Sequence, residues 1–115
     1  MTTQETLFTK IINREIPADI VYEDEKCLAF KDINPQAPVH VLLIPKVIIP
    51  KLSDADTEQQ SLMGHLLLKV GDVARSLGIG DDFRVVVNNG VGACQTVFHL
   101  HLHILGGRKF TWPPG

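Results

Sequence analysis

The chain has 115 residues, 44% hydrophobic and 21% charged, with a formal net charge of -2 at pH 7. That length suits a single domain, residues 1–115, able to bury a core without staples. The charge balance provides no basic face for a nucleic-acid backbone, so nucleic acid is not an expected partner, whereas one phosphate needs only a few local donors.

Met1 to Lys10 has no basic-then-apolar signal pattern, and no apolar run nears the about 20 residues of a membrane span. Cys27 and Cys94 are distant and form no C-x-x-C pair, so free thiols in a reducing compartment are expected. A cytoplasmic protein without a membrane partner follows. Thr6 to Arg14 opens on a possible Thr cap and spaces Leu7, Phe8, Ile11 and Ile12 as a short helix ending before Pro17. Ile20–Tyr22 and Lys26–Asp32 read as strands joined by the acidic turn Glu23-Asp24-Glu25. Asn34 to Pro38 is a rigid loop, and Val39–Ile44 is a β-branched strand stopped by Pro45.

Ser53 to Ser76 reads as the main helix, capped by Ser53 or Asp54 and stopped at Gly78. Its apolar stripe is Leu62, Leu66, Leu67, Val70, Val73 and Leu77, which leaves His65 on the polar side as a surface residue. Phe83–Asn88 is a strand, Asn89 to Ala93 a flexible loop, and Val97–Leu105 the last strand, ended by Gly106-Gly107. The expected fold is α+β: a five-stranded, largely antiparallel sheet with two helices.

The last strand holds the feature most in need of a function. Side chains alternate on a strand, so His99, His101 and His103 share one face, while Leu100, Leu102 and Ile104 share the other and pack on the helices. Same-face neighbours are about 6.5–7 Å apart, too spread for three imidazoles to meet one zinc at about 2.0–2.1 Å. Two could converge with His40 or Cys94 as further donors, so a metal reading stays open. Phosphoryl chemistry suits the spacing better: the middle imidazole attacks phosphorus and a flanking one holds phosphate oxygens. Asn88, Gln95 and Thr96 are neutral hydrogen-bonding groups around the comb, and Gly90 and Gly92 let backbone N–H groups approach an anion. Cys94 beside a histidine is a weaker candidate nucleophile, because no third group orients the pair. Asp32 could simply cap the turn at Asn34-Pro35, and Phe8, Ile11, Phe30 and Leu42 could be core.

His99-Leu100-His101-Leu102-His103-Ile104-Leu105 resembles the His-x-His-x-His-x-x signature of the histidine triad superfamily. Leu105-Gly106-Gly107-Arg108 with Trp112-Pro113-Pro114-Gly115 resembles its Hint branch, the histidine triad nucleotide-binding proteins. Phe8 to Ala18, Ala29 to Ile33 and Pro35 to His40 match in order as well, so the likeness spans nearly the whole chain.

The resemblance implies a homodimer in which two sheets join into one of ten strands, with the tail 106–115 at the dimer and active-site region. It implies hydrolysis of purine nucleoside 5′-phosphoramidates, such as adenosine 5′-monophosphoramidate or AMP-lysine, to the nucleoside monophosphate and an amine, without cofactor or metal. His101 falls on the nucleophile that forms a nucleotidyl-histidine, His103 on a phosphate contact, His99 on a supporting position, and His40 on a fourth histidine behind the triad. Asp32 falls on the ribose carboxylate, and Leu7, Phe8, Ile11, Phe30, Ile33 and Leu42 on the slot for the base. Asn88, Gln95 and Thr96 fall around the α-phosphate and leaving group, and Trp112 on a residue reaching the neighbouring subunit's site. Thr96 stands where the branch commonly has serine, Val47-Ile48 follows Pro45-Lys46 where many relatives have x-His, and Val91-Gly92-Ala93-Cys94 replaces a loop with a glycine pair. Three readings rival this one: a dinucleoside polyphosphate hydrolase, as in the Fhit branch, a non-catalytic nucleotide-binding module, and a metalloprotein.

Overall fold

The computed structural model describes residues 4–115, so Met1 to Thr3 of the amino-terminal segment lie outside the described residues. Five strands, β1 (Ile20–Glu23), β2 (Cys27–Lys31), β3 (Val39–Pro45), β4 (Phe83–Val86) and β5 (Leu102–Gly106), form one sheet in the order β1-β2-β3-β5-β4. Every neighbouring pair is antiparallel. The expected α+β architecture is present, with helices α1 (Leu7–Ile12) and α2 (Gln60–Ser76). Among the described residues, no helix is long and apolar enough to cross a membrane.

The two faces of the sheet bury different helices. Val41, Leu43, Leu100, Leu102 and Ile104 pack with Leu66, Val70, Val73 and Ala74 of α2. Phe8 and Ile11 of α1 pack with Leu28, Phe30, Leu42 and Ile44 on the other side. Only α2 therefore covers the leucine face of the comb, and α1 lies on the histidine side, contrary to the expectation that both helices cover the leucines. The apolar residues of so short a helix reach only one side of the sheet. Thr6 starts it with a capping box, its side chain taking the Phe8 N–H at 3.2 Å while Thr9 returns the bond.

The main helix starts later than its sequence suggests. Two 3₁₀ turns, Leu52–Asp54 and Thr57–Gln59, precede Gln60, separated by an extended Ala55. Asp54 spends its carboxylate on the Lys51 N–H at 3.2 Å, and Asp56 takes the Glu58 N–H at 2.9 Å. Neither Ser53 nor Asp54 caps α2. The end falls as expected: Leu77 closes the helix and Gly78, at φ +79°, turns the chain through the left-handed region. Leu67 of the expected stripe is 65% exposed, since Leu66 and Val70 already fill the groove beneath.

The last strand is shorter than the comb. Its ladder with β3 stops at the Leu43–Leu102 pair, and that with β4 at Val86–His103. Upstream of Leu102, imidazoles and loop atoms occupy the carbonyls: His99 bonds Pro45, His101 bonds His99, and the Leu100 N–H reaches Ile49. The alternation of faces nevertheless persists, with Leu100 in the α2 core and Phe8 against both His99 and His101.

Candidate active site

Four histidines stand in a row on the α1 side of the sheet. His103 is on β5 opposite Leu42, His40 is on β3, and His99 and His101 lie in the segment leading into β5. The His101 and His103 ring centroids are 5.0 Å apart, and those of His40 and His103 are 5.2 Å apart. Phe8 meets His101 edge-on at 5.1 Å and His99 at 5.9 Å, so α1 supplies an apolar wall behind them.

Backbone atoms fix the tautomers. The Gln36 N–H donates to His40 Nδ1 at 3.0 Å, which leaves the His40 proton on Nε2. That proton donates to His103 Nδ1 at 2.9 Å, so a neutral His103 holds its own proton on Nε2. In the same way, His101 Nδ1–H donates to the His99 carbonyl at 2.7 Å, and its Nε2 keeps a free lone pair. His99 Nε2–H donates to the Pro45 carbonyl at 2.8 Å, and its buried Nδ1 has no partner. The row thus offers a lone pair on His101 and an N–H on His103, side by side.

Burial favours the uncharged form of three of these rings, His40, His99 and His103. It pushes the His103 imidazole down to about 4, reinforced by His101 and His40 and opposed by Asp32. Burial lowers His40 too, against the pull of Asp32. It lowers His99 as well, against its Pro45 bond and with help from His101. At neutral pH an anion beside His103 meets a hydrogen-bond donor rather than an imidazolium charge.

Asp32 divides its carboxylate. Oδ1 takes the Asn34 N–H at 2.8 Å, the turn-capping role, while Oδ2 lies 3.4 Å from His40 Nε2. Asp32, His40 and His103 offer ligand atoms within 4.8 Å of one another, but an ion there must break the His40–His103 bond. Of the apolar slot, Phe8, Ile11, Phe30 and Leu42 are buried in the core cluster. Leu7 and Ile33 are exposed, Ile33 at 98%.

The loop residues part company. Gln95 is buried with its amide fully engaged: Oε1 takes the Gly90 N–H at 2.8 Å, and Nε2 donates to Pro50 at 2.7 Å and Val97 at 3.0 Å. It braces the loop between β4 and the comb. Asn88 is half-buried and Thr96 exposed. Cys94 sits at φ +73°, in the region that favours glycine, and it is exposed. Trp112 is 82% exposed, and its neighbour Thr111 is held at β4, where Arg84 donates to the Thr111 carbonyl at 2.9 Å. Sequence reasoning missed Gln36, whose N–H sets the His40 tautomer, and Arg108, whose Nε donates to the Gln36 carbonyl at 3.0 Å. The signal at Gln36 is in backbone atoms, which no residue type announces.

Fold and site together define a small antiparallel α+β protein built around a hydrogen-bonded row of histidines. The HIT domain family model matches residues 13–110, and the chain belongs to that family, named for its histidine triad. An uncharacterized HIT-like protein of Synechocystis sp. (strain ATCC 27184 / PCC 6803 / Kazusa) is 70% identical over 112 residues, covering 97% of this chain and 98% of its own. A HIT family hydrolase of Legionella pneumophila Philadelphia 1 superposes with a TM-score of 0.93 at 45% identity, covering 96% of this chain and 100% of its own. A histidine triad nucleotide-binding protein of Candida albicans superposes at 0.81 with 31% identity, over 96% of this chain and 85% of its own.

Proposed function

We propose that this chain is a nucleotide hydrolase and, more finely, a purine nucleoside phosphoramidase of the Hint branch. The observation that supports this best is the His101 Nδ1–H bond to the His99 carbonyl, 2.7 Å long, which frees Nε2 to attack. Nε2 bonds to phosphorus, the P–N bond breaks, and the amine departs with the bonding pair and takes a proton from solvent water. The phosphorylated ring is a cation, and its Nδ1–H stays on the carbonyl that stabilises it. His103 Nε2–H, held in place by His40, donates to a phosphate oxygen. Water then attacks phosphorus and gives up a proton to solvent, the P–Nε2 bond breaks with its electron pair returning to His101, and the nucleoside monophosphate leaves.

In this reading Asp32 Oδ2 accepts from the ribose hydroxyls, and exposed Leu7 and Ile33 gain cover from the purine, over a floor of Phe8, Ile11, Phe30 and Leu42. Asn88 and Thr96 serve the leaving-group side. Gln95, with its amide saturated, serves there by shaping the Gly90–Thr96 loop. The β4 edge of the sheet, with Val85 exposed on it, and the exposed Leu67 and Leu68 of α2 support a homodimer that would also give Trp112 a covered position. The two free thiols fit the cytoplasm.

Turnover of adenosine 5′-monophosphoramidate and AMP-lysine, compared with diadenosine triphosphate, tests the reading. Preferred cleavage of the phosphoramidates is expected. Preferred cleavage of the dinucleotide would move the chain to the polyphosphate class, and binding without turnover of either would make it a binding module.

A further inference from the structure

On the sheet face opposite the histidines, a second polar cluster lies under α2. The chain turns from β1 to β2 at Asp24, whose Oδ1 takes the N–H groups of Lys26 at 2.7 Å and Cys27 at 2.9 Å. The backbone thereby fixes the carboxylate and presents Oδ2 to three side chains: the Tyr22 hydroxyl at 2.7 Å, His65 Nε2 at 2.7 Å and Cys27 Sγ at 3.5 Å. The sulfur, the imidazole nitrogen and a carboxylate oxygen all lie within 4.8 Å of one another. Cys27 is fully buried, while the His65 and Asp24 side chains are 25% and 24% exposed, which leaves one side open to solvent.

We propose that Asp24, Cys27 and His65 form a binding site for a borderline-soft divalent cation of the zinc type, with a water from the open side as fourth ligand. Ligands about 2.0–2.3 Å from a tetrahedral ion stand roughly 3.3–3.8 Å from each other. The Cys27–Asp24 gap of 3.5 Å already fits, and the ion takes the place of the His65–Asp24 hydrogen bond, whose 2.7 Å gap must open to roughly 3.3 Å; unlike the His40–His103 bond, it holds no ring of the histidine row. Two ligands three residues apart around a hairpin turn have the spacing of structural zinc sites, and a mixed sulfur, nitrogen and oxygen set disfavours magnesium and calcium.

Proton and charge balance are straightforward. Cys27 releases its thiol proton to solvent, His65 binds through Nε2 with its proton on Nδ1, and thiolate plus carboxylate neutralise the ion. Because the thiol must lose its proton to bind, binding strengthens as pH rises. Tyr22 and the cationic Lys69, 5.7 Å from its ring, flank the site. The ion would clasp α2 to the β1–β2 turn, joining residues 41 apart in sequence. The site shares no residue with the histidine row and does not depend on the proposed activity.

The test uses metal-free full-length protein in a Cys94→Ser background, which removes the other thiol, titrated with cobalt(II). One equivalent with a sulfur-to-cobalt charge-transfer band, displaced by zinc, is expected. Cys27→Ser should abolish the band, and His65→Gln, which spares the core, should weaken cobalt binding about tenfold or more with the circular dichroism unchanged. His103→Gln should leave the band as it was. Absence of the band at millimolar cobalt, equal affinity in His65→Gln, or loss of the band in His103→Gln would overturn the proposal.

Discussion

Replacing Gln95 by alanine removes the brace of the loop that leads into the comb. Three hydrogen bonds disappear, to Gly90, Pro50 and Val97, at a site 3% exposed. Each such bond contributes about 1 kcal/mol net, and partners left buried and unpaired add to the loss, for a total of about 2–4 kcal/mol. In a domain of this size that lowers the melting temperature by on the order of 10 °C. Gln95→Glu is the sharper control: it keeps the acceptor and the shape but turns an oxygen toward the Pro50 and Val97 carbonyls, so it should destabilise at least as much. Urea unfolding and thermal melts give the stability, and hydrogen exchange at Gly90 reports the loop directly. Turnover should fall as the His99 carbonyl loses its fixed position. The reasoning is refuted if Gln95→Ala melts within about 2 °C of the parent while turnover falls steeply, because Gln95 would then act on substrate.

His103 should stay neutral through pH 6 and titrate at about 4 by nuclear magnetic resonance. The unfolded chain takes up this proton from its ordinary value of 6.5 downward while the folded chain refuses it until about 4, so stability should fall as pH drops through that window, by about 1–2 kcal/mol after solvent screening. His40 and His99, also lowered by burial, add to the same slope. Cys94→Gly should stabilise the fold by about 0.5–1 kcal/mol in denaturant titrations, because φ +73° is strained for any side chain. Thr6→Ala should cost about 1 kcal/mol by the same assay through loss of the α1 cap.

Strand alternation is a local property, and it placed the comb correctly: Leu100 packs on α2 while His99 and His101 meet Phe8, although the ladder begins only at Leu102. Faces follow from the backbone's period of two, whereas ladders depend on what β3 and β4 offer opposite. α2 starts at Gln60 rather than at Ser53 because Asp54 and Asp56 each satisfy a local turn ahead of the helix. His65 looks like a surface residue on a helical wheel, yet it meets Asp24 across the fold. The tautomers of His40, His99 and His101 rest on the backbone atoms of Gln36, Pro45 and His99, which only the folded chain brings near.

The most direct test of the account is to quench the protein during turnover of an adenosine phosphoramidate and map the adduct by mass spectrometry. A nucleotidyl group on His101, absent from His101→Asn together with all turnover, is the predicted result. An adduct on another residue, or a His101→Asn protein that turns over at the parent rate, would contradict it.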